Sequence, residues 1–296
     1  LIEECGLVKM DFLGLKTLTL IKHTEDLIHK KDPTFTSAAI DEKDPKTFEM
    51  LCRGESAAVF QFESQGMQNI LKEAKPSNIE DLVALNALYR PGPMAYIPQF
   101  INCKLGRQPI TYANPELEDE LKTTYGVIVY QEQVMKVAQI IAGYSLGSAD
   151  ILRRIMGKKK VAALEKEKVK FIAGAKALGR SEQHASEIFE MLEPFAGYGF
   201  NKSHAVAYSV VAYQTAFLKA NYPAEFWAAN LTNEMGSPDK FSEYLQIAKD
   251  QGIEILPPSV NYSDKHFSVV DGKIVYGLAG IKNVGEGVVE MLVQRS

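Results

Sequence analysis

A lysine and an aspartate stand two apart inside the otherwise apolar run "GLVKMDFLGLKTLT", residues 6–19. Successive side chains of a strand point to opposite faces, so a strand here puts Leu7, Lys9 and Asp11 on one face and Val8, Met10 and Phe12 on the other. Ordinary decoration of a solvated edge face fits that pattern, and so does a catalytic strand that sets a cation beside a carboxylate. A second group is the consecutive pair Arg153 and Arg154 in "SADILRRIMGKKK". Guanidinium pairs favour bidentate contacts to phosphate, whereas isolated surface arginines need no partner. The third is "FAGYGFNKSHAVAY", where Gly197 and Gly199 bracket Tyr198 in an expected tight loop that feeds a helix starting near His204. A helix N-terminus offers unpaired N–H groups and partial positive charge, so a phosphate fits there with Lys202 and His204 beside it. A packed aromatic and a helix-terminal histidine explain Tyr198 and His204 as simply. The fourth is "GIKNVGEGVVEML", where Gly285 and Gly287 let backbone approach a phosphate closely, as in helix–hairpin–helix turns.

The elements that must position these groups are mainly helical. After the opening strand, Gly14 leads into a run where Leu15, Leu18, Ile21 and Ile28 have near-helical spacing, stopped by "KDP". A short helix starts at Pro45 and ends at Gly54, and "SQGMQNILKEAKP" supplies another. In "LYRPGPMAYIPQF" the prolines Pro91, Pro93 and Pro98 fix φ and exclude helix, presenting Tyr89 and Arg90 from a stiff loop. From Val127 onward helical segments follow one another, broken at Gly or Pro, with Ser148, Ser181 and Ser203 at expected N-caps. After Gly252, "IEILPPSVNYSDKHFSVVDGKIVYGL" alternates apolar and polar residues around "DG", as strands and a hairpin do, with a domain boundary near Leu256.

The chain has 296 residues, 46% apolar and 24% charged, the profile of a globular protein with a sizeable core and more than one domain. Cys5, Cys52 and Cys103 are far apart, which suggests neither a disulfide framework nor a structural zinc site and fits a reducing cytoplasm. No apolar run is long enough to cross a bilayer, and the start "LIEECG" reads as the interior of a longer chain. The net charge of −4 is unevenly placed. Residues 153–170 carry eight Lys or Arg against two Glu, a local +6 that leaves −10 for the remainder. A solvated lysine-rich helix face explains such a run; Lys158, Lys159 and Lys160 beside the two arginines also suit a nucleic-acid backbone.

Cationic groups, a stackable tyrosine and a single strand-borne carboxylate make incomplete equipment for phosphoryl transfer. Two divalent metals are clamped by several carboxylates in such chemistry, and no D-x-D pair occurs in the chain. The strings "GLVKMDFLGLKTLT", "VFQFESQGM", "LYRPGPM", "VYQEQVM", "ADILRRIMGKKK" and "FAGYGFNKSHAVAYSVVAYQTAFLKANYPAEF" closely resemble the alpha-subunit family of bacterial DNA polymerase III, the family C replicative polymerases. The resemblance runs along essentially the whole chain.

It implies a helical fingers domain over residues 21–255, the end of a palm domain over 1–20, and the start of a clamp-binding domain with helix–hairpin–helix turns over 256–296. It makes Asp11 one catalytic, metal-binding aspartate of a two-Mg2+ site incomplete in this chain, with Lys9 facing nucleotide phosphates. By the same resemblance Arg153 and Arg154 hold the incoming triphosphate, and Tyr198 and His204 line its pocket. Arg90 and Lys202 follow by motif membership only. The implied partners are primer–template DNA, deoxynucleoside triphosphates, the sliding clamp and other replicase subunits, with no membrane, and the segment alone is expected to be inactive. A non-enzymatic nucleic-acid-binding module using the basic helix and the glycine turn is the alternative, and a purely structural helical domain a third.

Overall fold

The computed structural model describes residues 5–8, 10, 13–157 and 161–294. Among them the expected mainly helical class is found. The helices are α1 (Lys16–Ile28), α2 (Pro45–Cys52), α3 (Gln65–Ala74), α4 (Ile79–Leu88), α5 (Ile97–Lys104), α6 (Glu118–Leu121) and α7 (Gln131–Ala142). They continue as α8 (Leu146–Gly157), α9 (Val161–Ala177), α10 (Glu182–Tyr198), α11 (Lys202–Asn221), α12 (Pro223–Asn233), α13 (Pro238–Asp250) and α14 (Glu286–Val293). Three short strands, β1 (Ile255–Leu256), β2 (Ser268–Val270) and β3 (Lys273–Val275), complete the set. The chain divides into two compact units, Glu42–Tyr213 on one hand and Leu1–Asp41 with Gln214–Ser296 on the other.

The unit Glu42–Tyr213 is organised around α7, α8, α9 and α10. Val134, Val137 and Ile141 of α7 recur at helical spacing and meet Leu152 and Met156 of α8, Phe171 of α9, and Ile188, Phe189 and Leu192 of α10, all buried. Each such side chain withdrawn from water contributes about 1.5–3 kcal/mol before conformational entropy is counted. The start of α7 is fastened from both sides. The Gln133 side-chain oxygen accepts from the Val129 and Tyr130 amides at 2.8 and 3.0 Å, and the Gln131 amide donates to the Phe200 carbonyl at 3.0 Å. Tyr130 and Phe200 thereby form an isolated parallel bridge, which ties the connection between α10 and α11 to the N-terminus of α7.

In the other unit α12 is the central helix. Ala224 through Leu231 are all buried, and α12 packs against α1, α13, β2 and β3. The expected hairpin forms: β2 pairs antiparallel with β3 across Asp271 and Gly272, both at positive φ, as a two-residue turn between right-handed strands demands. β1 adds to β3 in parallel, giving the order β1-β3-β2.

Several local expectations are corrected. The opening strand does not form in its described residues: Leu7, Val8, Met10 and Leu13 have no regular structure and are 63%, 77%, 69% and 92% exposed. A strand needs a neighbour for its ladder hydrogen bonds, and among the described residues none pairs with this segment. The face that α1 buries is Leu20, Ile21, Thr24 and Ile28, while Leu18 is exposed. Pro98 does not exclude helix; it lies in the first turn of α5, where its missing N–H has no intrahelical partner to lose. Ser181 is an N-cap as expected, accepting from the His184 amide. Ser148 and Ser203 are not caps. Ser145 accepts from the Ser148 amide at 3.2 Å, and Asn201 accepts from the His204 amide at 2.8 Å, so the helices begin two residues before Ser148 and one before Ser203.

Candidate functional site

The residues singled out in "LYRPGPM", "RRIMG" and "FNKSHAVAY" come together in the unit Glu42–Tyr213, at the bridge between Tyr130 and Phe200. Phe200 is the hub. The Arg90 guanidinium lies 4.5 Å from the centre of its ring, and the centre of the His204 ring stands 5.3 Å from it. His204 in turn meets Tyr208 at 4.2 Å, and Tyr208 meets Phe60 at 5.3 Å. Positions 200, 204 and 208 follow one another at i, i+4 spacing, which sets three rings along one face as α11 begins. Arg90 is oriented by its Nε, which donates to the Ala87 carbonyl at 2.9 Å, and burial lowers its guanidinium pKa. A half-buried cation stacked on an aromatic face is held by the ring quadrupole as well as by packing.

Arg153 reaches the same cluster from α8. Its Nη1 donates to the Gln131 side-chain oxygen at 3.2 Å, and Gln131 is the residue whose amide binds the Phe200 carbonyl. Asp150 takes both arginines: Arg153 donates from Nε and Nη2 to Oδ1 at 3.0 and 2.7 Å, and Arg154 donates to Oδ2 at 2.7 Å. The Arg153 hydrogen bond is the main reason the Asp150 carboxyl is held below its ordinary pKa, against a desolvation effect that pushes the other way. Arg153 is largely covered, its side chain 25% exposed, whereas that of Arg154 is 66% exposed.

The N-terminus of α11, where the sequence suggests a phosphate, holds a carboxylate of the chain itself. Both oxygens of Glu132 accept from the Lys202 amide, at 3.1 and 3.0 Å, and Asn201 donates its side-chain amide to the same group at 3.2 Å. An anion at a helix N-terminus is favourable whatever its source. The Lys202 ammonium lies 5.4 Å from the centre of the Tyr130 ring. Gly197 and Tyr198 do not form a loop: both belong to the last turn of α10, with Gly199 at its C-cap. Tyr198 ends that helix, and its side chain is outside the described set. Gly199 has its own reason. A Cβ there would stand 2.6 Å from the Phe195 carbonyl oxygen and 3.2 Å from the Gln131 amide nitrogen, so the α10–α11 connection passes α7 only without a side chain.

Arg90, Arg153, Arg154, Lys202 and His204 are therefore joined through shared partners. Lys9, Asp11, Lys158, Lys159 and Lys160 lie outside the described residues. Gly285 and Gly287 belong to the other compact unit, where they open α14; both are exposed, and a Cβ on either meets nothing within 4 Å. Phe60, Tyr130, Gln131, Glu132, Asp150, Phe200 and Tyr208 were not anticipated from the sequence. Two signals were present in it: the spacing of Phe200, His204 and Tyr208, and the i, i+3 and i, i+4 relation of Asp150 to the arginines. Among the described residues no group of three His, Cys, Asp or Glu side chains is arranged to hold a metal ion, and none of their helices is long and apolar enough to cross a membrane.

Comparison with known proteins gives this geometry a family. The pattern of the bacterial DNA polymerase III alpha subunit finger domain matches residues 17–179, and that of a helix-hairpin-helix motif matches residues 252–296. DNA polymerase III subunit alpha of Borreliella burgdorferi is 61% identical over 293 residues, covering 99% of this chain and 26% of that protein. The Treponema pallidum subunit is 63% identical over 291 residues, 97% and 25% respectively. The Escherichia coli subunit is 46% identical over 306 residues, 99% and 26% respectively. The chain thus spans about a quarter of the length of the curated relatives it matches. With its finger-domain match covering more than half of it, the chain belongs to the family of the bacterial DNA polymerase III alpha subunit finger domain.

Proposed function

We propose that this chain is the nucleotide-receiving segment of a DNA-directed DNA polymerase, one that extends a primer 3′ end with deoxynucleoside triphosphates in chromosomal replication. In this assignment residues 21–255 act as fingers, 1–20 as the end of the palm and 256–296 as the start of a clamp-binding domain. The observation that carries it is the convergence of Arg90, Arg153, Lys202 and His204 around the Phe200 bridge, with Arg154 exposed beside them. Such a face offers what a nucleotide needs. Guanidinium groups present paired donors to phosphate oxygens, and a partly exposed row of rings suits stacking by a base.

Each residue then has a task. Arg153 and Arg154 hold the triphosphate, and Tyr198 and His204 line the nucleotide pocket. Lys202 and Arg90 supply positive charge at the edge of the ring cluster, and Lys9 faces the phosphates. Asp11 contributes one carboxylate to a two-Mg2+ centre. The described residues do not themselves compose a metal site, so the work of this segment is binding and orientation. Primer–template is gripped by the run Lys158, Lys159 and Lys160 and by the turn at Gly285 and Gly287, the latter within the span matched by a helix-hairpin-helix motif. The sliding clamp and other replicase subunits are partners of the complete polymerase.

In the complete polymerase, replacing Arg153 or Arg154 by Ala is expected to raise the nucleotide KM or lower kcat by the equivalent of about 1.5–3 kcal/mol per charge-assisted contact. The primer–template dissociation constant should stay within about two-fold of the unchanged protein. Weakened DNA binding with unchanged nucleotide kinetics would overturn the assignment and favour a binding module.

A further inference from the structure

Consecutive residues of an α-helix point about 100° apart, so Arg153 and Arg154 do not converge by virtue of being neighbours. Asp150 brings them together. It stands three residues before one and four before the other, on the helix face they share, and divides its two oxygens between them: Oδ1 to Arg153, Oδ2 to Arg154. The two arginines are held unequally. Arg153 has two donors on Asp150 and a third on Gln131, and its side chain is 25% exposed; Arg154 meets Asp150 at 2.7 Å from a side chain that is 66% exposed. Ion pairs as exposed as that of Arg154 are weak and screened by salt. A triphosphate carries several negative charges and outcompetes one carboxylate for such a guanidinium.

We propose that Asp150 is a displaceable counter-ion: it holds both arginines on one face of α8 until phosphate arrives, keeps Arg153 throughout, and surrenders Arg154 to the triphosphate. This rests on the assignment of the arginine pair to nucleotide binding. It adds a division of labour, with Arg153 as a positioning residue and Arg154 as the ligand contact. It also makes Asp150 a residue that lowers affinity for nucleotide. Glu132 accepts from the Lys202 amide at the N-terminus of α11, so this face has a carboxylate of the chain at each of the two places where cationic groups gather.

The test is a double-mutant cycle in the complete polymerase, with dissociation constants measured at equilibrium for a deoxynucleoside triphosphate and for inorganic tripolyphosphate. Asp150→Asn keeps the size and one acceptor oxygen while removing the charge. It is expected to tighten binding of both probes about two- to five-fold, the range an exposed ion pair allows. That gain should vanish when Arg154 is already Ala, because no contact then remains to be released. A gain that persists in the Arg154→Ala background would reduce Asp150 to general electrostatics and overturn the proposal. Weaker or unchanged binding in Asp150→Asn, with Arg154→Ala still impaired, would also overturn it while leaving the functional assignment standing. Unaltered binding in Arg154→Ala alone would overturn the functional assignment itself.

Discussion

Arg90, Phe200 and His204 come from two stretches of chain more than a hundred positions apart, and they meet because Phe200 presents a ring to both. Residue types made part of this visible beforehand: Lys202 and His204 stood out beside an expected helix N-terminus, the arginine pair as a phosphate binder, and Arg90 by motif membership. What they rest on was not visible. Phe200 was not singled out, and its role depends on the bridge to Tyr130, a long-range pairing with no local signature. Glu132 and Asp150 were hidden for the opposite reason, since acidic residues beside basic ones are common on any helix surface. At this scale one expectation concerns Asp11. If Asp11 is the proposed metal ligand, Asp11→Asn in the complete polymerase should abolish primer extension while leaving the primer–template dissociation constant within about two-fold, because the change then removes a metal ligand rather than a DNA contact. Normal turnover in that variant would remove Asp11 from the catalytic set.

Helix identity was legible for α1 to α3 and from α7 onward, where segments broken at Gly or Pro read as helices, whereas α4 and α6 were not singled out and α5 read as a stiff connector. Helix starts were less so. Ser145 and Asn201 cap where Ser148 and Ser203 seemed to, since a polar residue two or three positions past the cap, in the first turn, is the same residue type as a cap. The opening strand failed for a different reason: alternation specifies a strand only where another strand completes it. The decisive element for the site is the connection from α10 to α11, threaded past α7 through Gly199. Gly199→Ala should displace that connection, because the added carbon would stand 2.6 Å from the Phe195 carbonyl oxygen and press on Gln131 at 3.1–3.2 Å. A loss of about 1–3 kcal/mol in urea unfolding is expected from such overpacking, together with a higher nucleotide KM. Unchanged stability and kinetics would show that the bridge does not position Phe200.

For the whole molecule, a net charge of −4 beside a local +6 between residues 153 and 170 makes the electrostatics regional. Lysines that neutralise phosphates release condensed counter-ions, which sets the slope of log affinity against log salt at nearly one unit per duplex phosphate. Changing Lys158, Lys159 and Lys160 together to Gln in the complete polymerase should flatten that slope by up to about three units. An unchanged slope would make the run a solvated helix face. The central claim is that the incoming nucleotide lies against the face built by α8, the start of α11 and the Tyr130–Phe200 bridge, and photo-crosslinking tests it most directly. A photoreactive deoxynucleoside triphosphate is bound to the complete polymerase with primer–template and irradiated, and the labelled peptides are identified by mass spectrometry. The expected result is label within residues 150–154 and 198–208, lost when unmodified nucleotide competes. Label confined to other segments, or label at these residues that competition does not remove, would contradict it.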